Sequence, residues 1–186
     1  MKFTQVVYKT HYCVYSALII VLLSVYPAAA LDLNGTIFSK VGEEQRIDPF
    51  LLYAVALAES AKSVGKGNIA PSIWALRAPS GAVYPFSLKQ ARSELARLTD
   101  EHGKMVDVGL MQVNLRWHGH RVKHPSELLD PLVNIEVGAQ ILVEAILSAS
   151  GDIELGIGRY HTWADEVRAR NYGQRVLAIW RNIQGK

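Results

Sequence analysis

One carboxylate is set apart by its surroundings. Glu59 lies near the end of residues 48–63, DPFLLYAVALAESAKS, a run that is apolar on nearly every side. Desolvation disfavours the charged form of a carboxyl, so its pKa rises there and the group stays protonated near neutrality. Such a group can donate a proton to a glycosidic oxygen and then, as carboxylate, take one back. Alternatively, Glu59 is a helix-end glutamate paired with Lys62 or Lys66; Lys62, three residues on, would lower its pKa if the ammonium reached the carboxylate.

A second polar group sits in a hydrophobic setting at residues 107–114, DVGLMQVN. The amides of Gln112 and Asn114 offer donors and acceptors suited to the N-acetyl and hydroxyl groups of sugars. Gly109 permits close backbone approach, and Met111 can fill the core beneath. The competing reading is a buried turn whose amides satisfy only backbone. Tyr160, in GIGRYH, can stack on or hydrogen-bond to a sugar, or can simply be core.

These residues need helices to hold them. Asp48-Pro49 is a helix start, with Asp as cap and Pro at the first helical position, and the buried helix that follows is expected to stop at Gly65 and Gly67. Glu59 shares a face with Val55 and Leu52, four and seven residues earlier. Residues 31–45 carry a weak helical stripe through Leu33, Ile37, Phe38 and Val41. Around Pro79-Ser80-Gly81 the flanks 74–77 and 82–84 predict a short hairpin. Ser87 with Gln90 forms a capping-box pattern ahead of an amphipathic helix through Leu88, Ala91, Leu95 and Leu98, terminated by Gly103. Residues 115–125 read as irregular. Asp130-Pro131 starts a helix through Ile135, Gly138, Ile141, Leu142, Ala145 and Ile146, expected to end at Gly151; Asp152 caps a shorter one, and a last helix is expected over 172–183. The expected architecture is a mainly α, compact helical domain with one small β-hairpin.

Residues 1–30 stand apart from that domain. Lys2 and Lys9 precede the apolar run 14–26, and Pro27-Ala28-Ala29-Ala30 closes it with small residues, the layout of a signal peptide cleaved after Ala30. The run is shorter than the roughly 20 residues that span a bilayer, so no stable membrane span is expected after cleavage. Cys13, the only cysteine, falls in this leader, so residues 31–186 form no disulfide within the chain and rely on their core. Without the leader the formal charge falls from +3 to +1, and no basic stripe with interleaved aromatics points to nucleic acid. His118, His120 and His124 match no zinc spacing, so neither metal nor cofactor is expected.

Taken in chain order, AESAK, GLMQVN, NIEVGAQIL and LGIGRYH resemble the motifs of the family 1 lytic transglycosylases, the soluble-lytic-transglycosylase branch of the lysozyme-like fold, over most of residues 48–182. The likeness is strongest to the small transglycosylases of type IV secretion, conjugation and integrating mobile elements. The resemblance implies an α+β lysozyme-like fold and an exported, periplasmic enzyme of a Gram-negative cell. Its substrate would be a peptidoglycan glycan strand, and its partners the proteins of a secretion channel. It assigns Glu59 as the single catalytic acid/base, Ser60 as the second half of an ES pair, and Gln112, Asn114 and Met111 to the saccharide groove. It also places Tyr160 close to the glutamate, and Asn134 and Gly138 on a helix behind the site. The implied reaction cleaves the MurNAc–GlcNAc β-1,4 bond and closes a 1,6-anhydro ring, for which one carboxylate suffices. Hydrolytic glycosidases normally use two, and Asp107, Asp100 and Glu101 lie between the motifs, so a hydrolytic muramidase is the first alternative. A non-catalytic wall-binding subunit of a secretion channel is the second. Three features depart from the family pattern: His161 replaces an asparagine, Gly158 replaces a small residue such as alanine, and Glu59 and Gly109 are 50 positions apart.

Overall fold

Asp48 accepts a hydrogen bond from the Phe50 amide (2.8 Å), and Pro49 sets the first turn of helix α2, Pro49–Ser60. Leu51, Leu52, Ala54, Val55, Ala56 and Leu57 of this helix are buried, as expected of a segment apolar all round. The computed structural model describes residues 31–185, so the proposed leader and its cleavage site lie outside the described residues. Before α2 runs α1, Ile37–Gln45, capped by Thr36 and burying Phe38 and Val41.

Helix α2 stops at Ser60, well short of the glycines expected to end it. Ser60 is buried. Its hydroxyl donates to Ala56 O (3.1 Å) and to Leu110 O (2.8 Å), and its carbonyl accepts from the Ser72 amide (2.9 Å). The chain therefore leaves as strand β1, Ala61–Gly65, which pairs antiparallel with β2, Asn68–Pro71. Gly65 and Gly67 make the turn of this hairpin rather than the helix end. Sequence periodicity missed this hairpin because both of its strands lie on the surface and show no alternation of buried and exposed positions.

The second hairpin appears where it was expected: β3, Leu76–Ala78, pairs with β4, Gly81–Val83, in the register Leu76↔Val83 and Ala78↔Gly81. It belongs to a larger sheet. The motif GLMQVN is itself a turn between β5, Asp107–Val108, and β6, Val113–Asn114, and the sheet order is β4-β3-β5-β6, antiparallel throughout. Between the hairpin and that turn runs α3, Leu88–His102, capped by Ser87, with Gln90 reaching back to the Phe86 amide. It buries Ala91, Leu95 and Leu98, while Leu88 stays exposed.

Residues 115–129 form the short helix α4, Leu115–His118, and two single-turn segments. Helix α5, Pro131–Leu147, follows its Asp130 cap and buries Ile135, Gly138, Ile141, Leu142 and Ala145. It packs on α1 and on α6, Ile153–His161. The last helix, α7, is Glu166–Ile183, six residues longer at its start than expected. Its first turns, EVRARN, are polar and show no stripe, but Asp165 caps them by accepting from the Arg168 amide (2.9 Å). Helix α7 packs closely on both α6 and α2. A Cβ on Gly158 would run into the Ala169 backbone, so the departure from alanine at this position is what lets α6 and α7 approach. The domain is mainly α and lysozyme-like, with two small antiparallel sheets in place of the single hairpin expected.

One buried side chain joins the sheet to the helices. Asn134, on α5, donates to Val108 O (2.9 Å) and Leu128 O (3.0 Å) and accepts from the Met111 amide (2.8 Å). Gly109 (φ +80°) has no room for a Cβ because the Asn134 amide presses against it. Replacing Asn134 with Ala leaves three buried backbone groups unpaired, each costing about 1–3 kcal/mol. We expect Asn134→Ala to lower the unfolding free energy by roughly 3–5 kcal/mol in urea titrations, with the midpoint falling at an unchanged slope.

Candidate active site

Glu59 points from the last turn of α2 into a cavity of about 1140 Å³, floored by Ala58, Tyr160 and Tyr172 and walled by residues of the β3–β6 sheet, α4, α6 and α7. The cavity volume is ample for a saccharide chain. The Glu59 carboxyl has no ion pair with Lys62 or Lys66. Lys62 stands exposed on β1 with its ammonium 5.6 Å from the Tyr84 ring centroid, because the helix ended before it could follow Glu59 along the same face. Instead Tyr172 Oη donates to Glu59 Oε1 at 2.6 Å. Burial raises the Glu59 pKa from its ordinary value to about 7. The Tyr172 hydrogen bond and the Arg175 and Arg77 charges oppose this shift, while Asp107 adds to it. The side chain nevertheless keeps part of its surface open to the cavity. A protonated carboxyl with solvent access only through a groove is suited to giving a proton to a bound ligand.

Gln112 and Asn114 both line the cavity, and both also hold the backbone. Gln112 Nε2 donates to Ala75 O (3.0 Å) and Gly109 O (2.9 Å), which fixes a residue with φ of +48°. Asn114 Nδ2 donates to Asp107 Oδ1 (2.7 Å), and its Oδ1 caps α4 by accepting from Arg116 and Trp117 amides. The two readings offered for these amides thus coexist: the turn is internally satisfied and presents its outer face to the groove. Tyr160 lines the cavity as well, with Oη donating to Met111 O (2.7 Å). Burial, then the Glu59 and Asp107 charges, push its pKa well above the ordinary phenol value, so it stays neutral.

Ser60 and Met111 are not in the cavity wall. Both are fully enclosed. Ser60 ties α2 to the turn, and the Met111 side chain packs against Gly138, where an added Cβ would lie 2.6 Å from Met111 Cβ. In place of the expected ligand contacts, these side chains support the site from behind, as do Asn134 and Gly138 on α5. Among the three acids considered as second carboxylates, Asp107 alone lines the cavity; burial raises its pKa, and the Asn114 hydrogen bond opposes the shift. Asp100 is exposed on α3, and Glu101 pairs with Arg97 there.

Several cavity residues escaped the sequence reading. In the sequence Tyr172 marks only the start of a helix, yet in the structure it lies within α7 and supplies the hydrogen bond to Glu59. A buried tyrosine four residues before Val176 on an apolar face needs a partner for its hydroxyl, and that was the available signal. His161 stacks flat on the Tyr172 ring (centroids 4.8 Å apart, planes 1° apart), and burial followed by the nearby Arg175 and Arg168 charges lowers its pKa. Trp117 and Trp163 stand in the wall 65% and 64% exposed, faced by Arg116 and Arg159 respectively. Of the three loop histidines, His118 lines the cavity. No three His, Cys, Asp or Glu side chains gather as a metal-ligand group among the described residues.

Because Tyr172 donates to the charged form of Glu59, its hydrogen bond holds the pKa down, and removing the hydroxyl raises it. We expect Tyr172→Phe to move the Glu59 titration upward by about one unit, read from the carboxyl carbon by NMR.

Comparison with known families matches the transglycosylase SLT domain over residues 36–183. No curated protein and no solved structure matches the chain. The matched span runs from the cap of α1 to the end of α7 and includes every residue that lines the cavity around Glu59. The chain therefore belongs to the SLT-domain transglycosylases, the lytic transglycosylases that cleave peptidoglycan.

Proposed function

We propose that this lytic transglycosylase cleaves the β-1,4 bond between N-acetylmuramic acid and N-acetylglucosamine and releases a 1,6-anhydromuramyl end. The observation that carries the reading is the buried carboxyl of Glu59, with a pKa of about 7, in a sugar-sized cavity. Protonated Glu59 gives its proton to the bridging oxygen as the glycosidic bond breaks, and positive charge develops at the muramyl anomeric carbon. The 2-acetamido carbonyl can support that carbon. Glu59, now a carboxylate beside Tyr172, takes the proton of the muramyl 6-hydroxyl as that oxygen bonds to the anomeric carbon. The acid is regenerated, and no water is consumed. Tyr172 suits both halves of the cycle, since its hydroxyl stabilises the carboxylate without adding a charge.

A hydrolytic muramidase is a second reading, supported by Asp107 in the same cavity. There a water would take the place of the 6-hydroxyl. The motif likeness further suggests a place of action: an exported, periplasmic enzyme that opens the wall locally for a secretion or conjugation apparatus. That assignment rests on the leader-like residues 1–30 and on the resemblance of AESAK, GLMQVN and LGIGRYH to the transglycosylases of such systems.

Mass analysis of fragments from purified peptidoglycan separates the two chemistries. Anhydro ends are expected; fragments each heavier by one water would show hydrolysis. Glu59→Gln, which keeps the hydrogen bond from Tyr172 but cannot transfer a proton, should slow release of either product by about a hundred- to ten-thousandfold.

A further inference from the structure

Three guanidinium groups line the cavity: Arg77 from β3, and Arg168 and Arg175 from α7. The two on α7 are two helical turns apart and share a face, while Arg77 comes from the sheet side. Two carboxyls share the cavity with them, Glu59 and Asp107. With Glu59 in its acid form, three cations outnumber the one remaining anion.

None of the three makes a hydrogen-bonded pair with a carboxylate through its guanidinium. The Arg77 guanidinium makes no hydrogen bond or ion pair among the described residues, though its charge is felt by Glu59 and Asp107. Arg175 lies 5.3 Å over the Tyr172 ring and makes a long hydrogen bond (3.4 Å) to Ala58 O. Arg168 has only Asp165, at 3.6 Å and on the surface. Elsewhere in the protein, Arg97, Arg121 and Arg170 each hold a carboxylate at 2.6–3.0 Å. Among the described residues Arg46, Arg92, Arg116 and Arg181 also hold no carboxylate, but they lie outside the cavity wall. The three that line it turn open forks to the groove, and a guanidinium fork matches a carboxylate in geometry as well as charge.

We propose that Arg77, Arg168 and Arg175 form a carboxylate-recognition wall that makes the groove select glycan strands bearing free carboxylates over uncharged ones. The inference rests on the glycan-cleaving reading of this cavity and deepens it. Two sources on the same strand supply the group: the lactyl carboxylate of a muramyl residue without a peptide, and the carboxylates of a peptide attached to it.

The test uses the full chain in a Glu59→Gln background, which binds without turning over, and adds Arg168→Gln or Arg168→Lys. Affinity is measured for peptide-free glycan, for peptide-bearing glycan and for an uncharged N-acetylglucosamine oligomer. Arg168→Gln should weaken binding of at least one carboxylate-bearing strand roughly three- to tenfold and flatten its salt dependence, and Arg168→Lys should restore much of the loss. The uncharged oligomer should bind both variants alike. Loss confined to peptide-bearing strands assigns the peptide carboxylates, and loss on peptide-free strands assigns the lactyl group. Equal affinities and salt slopes for all three ligands, or an equal loss for the uncharged oligomer, would overturn the proposal. In an otherwise wild-type chain, Arg168→Gln should raise KM and leave kcat within about twofold. The glycan-cleaving reading is judged separately, by the products of the wild-type enzyme.

Discussion

Everything around the cavity depends on keeping one carboxyl out of water while leaving it a donor. Glu59 meets that condition through burial on α2 and a single short hydrogen bond from Tyr172, a residue 113 positions away in sequence. The bond is uncharged on the donor side. A lysine or arginine in the same place would hold Glu59 ionised, with no proton to donate, whereas a phenol tempers the effect of burial without cancelling it. The arginines that do approach, Arg77 and Arg175, rank below both burial and the phenol in their effect on Glu59.

That constraint reaches far into the fold. Tyr172 can touch Glu59 only if α7 lies against α2, and α7 is set by its close approach to α6 at Gly158. Its ring is backed by His161, held as a stacked neutral plane. On the other side, the GLMQVN turn is fixed from two directions: Ser60 reaches it from the end of α2, and Asn134 reaches it from α5. The acid and the turn that faces the groove are thereby locked to each other by buried hydrogen bonds. Such preorganisation avoids having to order these groups during the reaction.

Much of this was legible in the residues. The caps Asp48, Ser87, Asp130 and Asp152 each mark a helix start seen in the structure, because a short polar side chain beside an apolar run has few other uses. Glu59 was legible because an acid on an apolar helix needs an explanation. Less was legible where local sequence and tertiary role part ways. Glycines 65 and 67 looked like a helix stop, but the stop came from Ser60, whose partners Leu110 and Ser72 are remote in the chain. Tyr172, Arg77 and Arg175 converge on Glu59 through packing of α7 and the sheet, and nothing in their local spacing says so. Ser60 and Met111 sit in site motifs yet point away from the groove, since a motif records what the site needs and not which atoms touch a ligand.

The proposed chemistry requires Glu59 to be a protonated acid near neutrality. The dependence of kcat/KM on pH, measured on soluble glycan strands, tests that most directly because it reports the ionisation of the free enzyme. A loss of activity as pH rises through about 7, the pKa to which burial lifts this carboxyl, is the predicted result. Activity that stays level well above that pH, and fails only in the ordinary carboxylate range as the group becomes protonated, would contradict it.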